Sequence, residues 1–252
     1  MSDCGGLLSR FLAAPPGLRD PTADTLPPAR LPASVLLAGP PASGRTTMLL
    51  NFTMHFLAER PDAVAVWLAD APGALLGLAA ASVLHPTETP SPAAADRLRR
   101  LDIRYFPRPL DLMRYLALAA YGPGGTWPTG PFLLVLDAGL RRDECPTSSQ
   151  CLSLALQALE PLQAGAGGGP LVGLLVCLEA AAPHPATGSR GGMFEAAFDA
   201  CLDVGVPSVD TDDSQPPNEP PGGFSLSLTL GDAFACRTFD IAPDRIVPGP
   251  EQ

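Results

Sequence analysis

Gly39-Pro40-Pro41-Ala42-Ser43-Gly44-Arg45-Thr46-Thr47 is the stretch on which the reading of this chain turns. Two glycines five positions apart, a cation directly after the second and a hydroxyl residue after that match the pattern G-x-x-x-x-G-K-[ST], with arginine standing at the lysine position. Such a loop works through its backbone: successive N–H groups turn inward, and the helix that follows points its N-terminus at a phosphate. In a chain of this composition the relaxed pattern arises by chance about 0.02 times. It therefore reads as a nucleotide site lined by Gly39 through Thr47.

The flanks agree with that reading. Ser34 to Ala38 is a short apolar β-run entering the loop, and Thr46 to Arg60 leaves it as a helix. Leu49, Phe52 and Phe56 fall on one helical face and Leu50, Met54 and Leu57 on the adjoining one, which predicts a largely buried helix. The 16 basic residues of the chain are all arginine, so Arg45 follows a chain-wide exchange of lysine for arginine. The exchange still has chemical weight, because lysine meets phosphate as a compact point charge and arginine as a longer planar fork. Binding is expected to survive it, and phosphoryl transfer to suffer.

Outward from the loop, apolar runs alternate with helical stretches. Ala63–Ala69, Asp102–Phe106, Phe132–Asp137 and Leu171–Leu178 read as strands, and residues 74–84, 92–100, 110–121 and 149–163 as helices. Apolar strands in alternation with helices predict an α/β fold with a mostly parallel, doubly wound sheet covered on both faces. After Gly192 the character changes. Residues 193–201 are amphipathic, 203–223 are acidic and proline-rich, and 224–230 alternate strictly before the Gly231-Asp232 turn and a return strand over 234–241. This last part reads as a C-terminal β-hairpin closing one sheet edge. The expected organisation is a flexible Pro-rich leader over 1–33, with a short helix at 6–14, one domain over 34–243 and a tail over 244–252.

Composition sets limits on function. The net charge of −10 is uneven: residues 195–252 carry 11 acidic groups against Arg237 and Arg245, while six arginines and three aspartates fall within 96–114. A whole-molecule electrostatic grip on nucleic acid is unsupported, which leaves room for a local one. The six cysteines form no C-x-x-C pair, and with three histidines they make no zinc signature. Reduced thiols in a cytosolic or nuclear protein are expected. No apolar window of about 18 residues predicts a membrane span, and no secretory signal is visible at Met1 to Arg10.

Three acidic residues close apolar runs. Asp137 stands where a magnesium-holding aspartate follows a strand in P-loop NTPases. Asp70 ends the second strand, where an acid could position an attacking water or merely cap the next helix. Glu179 ends the fifth strand, where it brings negative charge close to phosphate. The motif Phe-x-x-Ala occurs at Phe11, Phe194 and Phe239, but in a chain this rich in alanine about 1.5 such matches arise by chance.

The loop Gly39–Thr47, the run Arg97–Pro107 leading into Leu110–Leu116, the strands Leu133–Asp137 and Leu174–Leu178, and the hairpin ending Ile241-Ala242-Pro243 occur in a telling order. Over residues 34–243 that order resembles the RecA-like recombinase ATPases, in particular their short diverged paralogues that accompany a SWIM zinc-finger protein in the Shu complex of homologous recombination. The resemblance implies a RecA-like P-loop NTPase core, ATP and Mg2+ as cofactors, and Thr46 and Asp137 as the metal-side residues. It implies catalytic positions at Arg45 and Asp70, and DNA-facing loops carrying Arg141 and Arg142 after the fourth strand and Arg190 after the fifth. The implied partners are a SWIM zinc-finger protein, a recombinase and single-stranded DNA bound weakly by the chain alone, in the nucleus and away from membranes.

The chain also departs from the family. In Asp70-Ala71-Pro72-Gly73-Ala74-Leu75 a proline occupies the family's acidic-base position, and proline cannot polarise water. Glu179 replaces the polar residue expected after the fifth strand. The function expected is therefore an accessory ATP-binding subunit of recombination repair that hydrolyses ATP weakly. A P-loop pseudo-ATPase scaffold and a small P-loop kinase are the alternatives, the latter suggested by the arginines near 96–108.

Overall fold

The computed structural model describes residues 7–8, 10–12, 32–41, 43–71, 92–121, 127–128, 130–141, 145–164, 172–179, 197–205, 224–230, 233–242 and 245–248. Nine strands form a single sheet: β1 (Ser34–Gly39), β2 (Val64–Ala69), β3 (Leu101–Tyr105), β4 (Phe132–Asp137), β5 (Val172–Glu179), β6 (Ala200–Gly205), β7 (Phe224–Leu230), β8 (Ala233–Ala242) and β9 (Arg245–Pro248). Their order is β3-β2-β4-β5-β1-β6-β7-β8-β9. The first six in that row pair in parallel, and β7, β8 and β9 add antiparallel strands. The helices among the described residues include α1 (Arg45–Glu59), α2 (Pro92–Arg99), α3 (Pro109–Tyr121) and α4 (Cys145–Ala164).

Side chains alternate across each strand, so each central strand feeds two cores. Val35 and Leu37 of β1 and Leu133 and Val135 of β4 join the core under α1. Leu36 and Ala38 of β1 and Phe132, Leu134 and Leu136 of β4 join the core under α3 and α4. This is the expected doubly wound sheet, and it explains why its strands read as unbroken apolar runs.

α1 is buried without interruption from Thr47 to Leu57. A helix apolar on two faces needs cover on its outer side, and part of that cover comes from within the expected leader. Leu7, Leu8, Arg10, Phe11 and Leu12 are helical and buried. Phe11 stacks on Phe52 with ring centroids 4.7 Å apart, and Asn51 Nδ2 donates to the Phe11 carbonyl at 3.1 Å. Arg10 pairs with Glu59 at 2.7 Å. Those residues of the leader thus belong to the core. The Phe11 copy of Phe-x-x-Ala is a packing element.

Two further differences lie at the C-terminal side. Residues 200–205, read from sequence as the end of an amphipathic stretch running into an acidic one, are strand β6, which lies parallel beside β1. Ala200, Leu202 and Val204 face the core under α1, Cys201 packs against the core on the other face, and Asp203 is exposed, so the short alternation is masked by its acidic surroundings. Residues 245–248, read as part of a tail, are strand β9, paired with β8. The antiparallel pair β7–β8 forms as expected, with Leu230 in register with Ala233, while Gly231 and Asp232 lie outside the described residues; the pair lies inside the sheet and β9 forms the edge. At the start of β1, Asp199 accepts from the Ser34 backbone N–H at 2.9 Å and from its hydroxyl at 3.0 Å, and the Asp199 N–H donates back to Ser34 Oγ at 3.1 Å. This clasp sets the register of β6 on β1.

Candidate functional site

Because β1, β2, β4, β5 and β6 run in parallel, their C-terminal ends open on one edge of the sheet, where doubly wound folds bind ligands. The loop after β1 lies there. Gly39 is flanked by β5 and β6, in register with Glu179 on one side. A Cβ at Gly39 would lie 2.7 Å from Val204 Cβ and 3.2 Å from Ser43 Oγ, so only glycine allows β6 to approach this closely. Ser43 is buried, and its hydroxyl donates to the Pro40 carbonyl at 2.8 Å, folding the loop on itself. Gly44 takes the left-handed conformation, φ 75° and ψ 11°, and starts α1 by accepting from Met48 N–H at 3.0 Å. Glycine adopts that conformation without the Cβ clash other residues suffer.

The chemistry of the loop then follows from what is left unsatisfied. The first N–H groups of a helix have no intrahelical acceptor. No side-chain cap bonds those of α1, and its first turn carries no acidic residue. A phosphate would satisfy these donors and the helix dipole together. Arg45, the first residue of α1, adds a second unsatisfied group: its Nη1 is buried and bonds to no partner. A buried donor without an acceptor is unfavourable, and an anionic oxygen beside it removes the penalty. The residues present therefore fit a nucleotide's phosphate chain. Pro41 is exposed and Thr47 buried at the base of the helix, while Ala42 lies outside the described residues.

Thr46, on the first turn of α1, and Asp137, which ends β4, are both partly exposed. They are the oxygen donors that would hold a magnesium ion, a cation that keeps phosphate and water oxygens as most of its ligands. Among the described residues, no group of three His, Cys, Asp or Glu could hold a metal by itself. Asp70 follows β2, which pairs with β4 so that Ala69 faces Asp137. Asp70 is exposed and leans on Gly139: a Cβ there would lie 2.5 Å from Asp70 Oδ2, and Gly139 has φ +60°. Asp70, Asp137 and Gly139 thus share the same sheet end. Pro72 lies outside the described residues.

What sequence reasoning missed is the pairing of Arg45. Its Nη2 lies 3.5 Å from Glu179 Oε2, and Arg141 Nε lies 3.5 Å from the other oxygen, Oε1. Arg141 also bridges Glu179 through the backbone, and the Glu179 N–H donates to the Leu140 carbonyl at 2.7 Å. Ser148 Oγ ties the start of α4 to Arg141, donating to its carbonyl at 2.8 Å. Arg141 is therefore held at the phosphate-loop edge. Arg142 and Arg190 lie outside the described residues. The signal in the sequence was an acid at the end of the strand beside the loop, and its partner was not deducible without the strand order.

No protein-family model matches this chain, and no curated protein sequence matches it. Solved structures do. The crystal structure of the RadB recombinase matches with a TM-score of 0.52 at 16% identity, covering 86% of this chain and 91% of that one. A KaiC-like protein from the hyperthermophilic archaeon Pyrococcus horikoshii OT3 matches with a TM-score of 0.51 at 15% identity, covering 96% and 99%. At these identities the likeness is one of fold: an α/β, RecA-like P-loop NTPase core on a mostly parallel, doubly wound sheet.

Proposed function

We propose that this chain binds ATP with Mg2+ in the loop Gly39–Thr47 and serves as an accessory subunit of homologous-recombination DNA repair, hydrolysing ATP slowly. The observation that carries the nucleotide reading is the start of α1. There, a left-handed Gly44, uncapped helix N–H groups and the unbonded Nη1 of Arg45 come together at the C-terminal edge of the sheet. Backbone donors do the binding, Thr46 and Asp137 hold the magnesium ion, and Arg45 serves the outer phosphates. Bound magnesium would supply charge neutralisation along the phosphate chain.

The weakness of hydrolysis is supported by two features. Arg45 already has a carboxylate partner in Glu179, and Pro72 cannot act as a base. The same features favour the scaffold reading as an alternative, in which nucleotide is bound and never turned over. The recombination role, a SWIM zinc-finger partner, a recombinase partner, weak single-stranded DNA contact through Arg141, Arg142 and Arg190, and a nuclear location are drawn from the order of motifs over residues 34–243. Co-purification of the full chain with its partners tests them.

Calorimetry with Mg·ATP tests the nucleotide site. Saturable heat is expected from the wild-type chain and none from Gly44→Asp, which puts a Cβ on a left-handed residue and a negative charge at the phosphate face. Absence of heat in the wild-type chain, with ATP and with a non-hydrolysable analogue, overturns the reading.

A further inference from the structure

Glu179 sits beside the loop by strand register, opposite Gly39. Its backbone is fixed to Leu140, and its two carboxylate oxygens are divided between two arginines, Arg45 of the loop and Arg141 after β4. Both contacts are 3.5 Å, longer than the roughly 2.7–2.9 Å of a tight charge-assisted bond. Arg45 is largely buried, with 11% of its side chain exposed. It starts α1 and cannot leave the phosphate face, so its guanidinium is available to Glu179 and to an incoming phosphate at the same place.

We propose that Glu179 is a built-in counter-anion of the phosphate loop, which the terminal phosphate of a nucleoside triphosphate must displace from Arg45, so that the site discriminates nucleotides by the charge at the outer end of their phosphate chain. This rests on the nucleotide reading above and adds a specificity-determining residue to it. Two anions compete for one guanidinium, and while the carboxylate remains close it repels the outermost phosphate. The inner phosphates rest on backbone N–H groups of the loop and on the helix N-terminus, which do not involve Glu179. The penalty therefore falls on the terminal phosphoryl group of a triphosphate more than on a diphosphate. Arg141 makes the exchange feasible. When Arg45 turns to phosphate, Glu179 keeps a cationic partner and is not stranded as a lone carboxylate near an anion.

The experiment is a calorimetric titration of Mg·ATP and Mg·ADP into the full chain, as wild type, Glu179→Gln and Arg141→Gln, each checked by thermal melting. Glu179→Gln keeps the shape and removes the charge. It is expected to raise ATP affinity about fivefold to tenfold while ADP affinity changes less than about twofold. Arg141→Gln leaves Glu179 more firmly on Arg45, and is expected to weaken ATP by about twofold or more with ADP unchanged. If both nucleotides bind and their affinity ratio is the same in all three proteins, the counter-anion is refuted while the nucleotide site stands. If Glu179→Gln does not fold, the ratio in Arg141→Gln decides. If neither nucleotide binds any of the three, the nucleotide reading itself fails and this inference with it.

Discussion

Three glycines on the site edge have three separate physical reasons. Gly44 is there for its left-handed backbone. Gly139 combines φ +60° with the contact against Asp70. Gly39 is there because β6 leaves no room for a Cβ. The last case has a clean test, since the obstacle is one side chain. Gly39→Ala is expected to lose about 1–3 kcal/mol by overpacking, read as a lower midpoint in urea unfolding. Adding Val204→Ala to it is expected to recover part of that loss; a double variant no more stable than the sum of the two single changes would mean that Val204 is not the obstacle. At this scale the loop was legible, because its spacing is a chemical requirement that survives in the letters: Gly39, Gly44 and Thr46 are where the pattern puts them. The Gly39–Val204 contact and the Glu179–Arg45 pair were not, because each joins residues more than 130 positions apart through a strand order the letters do not contain.

Among the elements, α1 shows how an arginine outside the site keeps the site's helix in place. Its C-terminal end is capped by Arg100. Nη1 of Arg100 donates to the carbonyls of Arg60 and Ala63, both at 2.9 Å, and Nη2 donates to that of Leu57 at 2.8 Å. A cation at that end also suits the helix dipole. Arg100→Gln is expected to destabilise the fold by about 2–3 kcal/mol, and Arg100→Lys to rescue less than half, because a point charge cannot reach three carbonyls as a planar fork does. Chemical denaturation of the two variants measures both; full rescue by lysine would show that charge alone matters. Of the six arginines within 96–114, Arg99, Arg108 and Arg114 are exposed, while Arg97 and Arg100 turn toward the fold. Arg97 is buried, and burial together with the neighbouring Arg100 lowers its pKa from the usual arginine range. Arg104 ties Asp102 to Tyr115. Residues 74–84, expected as a helix, lie outside the described residues. Strands β6 and β9 escaped the sequence reading for one reason. Each is short and bordered by acids and prolines, so local pattern was too weak to reveal a strand, whether its partner lies far away, as β1 does for β6, or next to it in sequence, as β8 does for β9.

For the molecule as a whole, the doubly wound architecture was readable because unbroken apolar strands occur in almost no other setting. The N-terminal contribution to the core was less so: a short helix over 6–14 was expected, but Pro15-Pro16 and the prolines beyond mark residues 1–33 as a flexible leader by composition. Yet Phe11 is wholly buried on α1, and Leu7, Leu8 and Leu12 are nearly so. Phe11→Ala is expected to lose about 3–5 kcal/mol, measured as the change in urea midpoint at constant slope, and to lower nucleotide affinity little, as it lies away from the loop's N–H groups. An unchanged midpoint would mean that residues 7–12 do not dock on α1 in solution.

The place of β6 beside β1 has a consequence for how the chain comes into being. β1 is made before its partners and lies between β5 and β6, which follow it by 140 to 165 positions, from Ser34–Leu174 on one side to Val35–Ala200 on the other. On a ribosome, the strand that carries the loop waits with both edges open until most of the chain has been synthesised, and pairings over such distances form slowly. An apolar strand with unpaired edges is a template for neighbouring chains. A nascent chain stalled before residue 200 therefore presents β1 to other polypeptides, and the half-made protein has more need of a chaperone than the finished one.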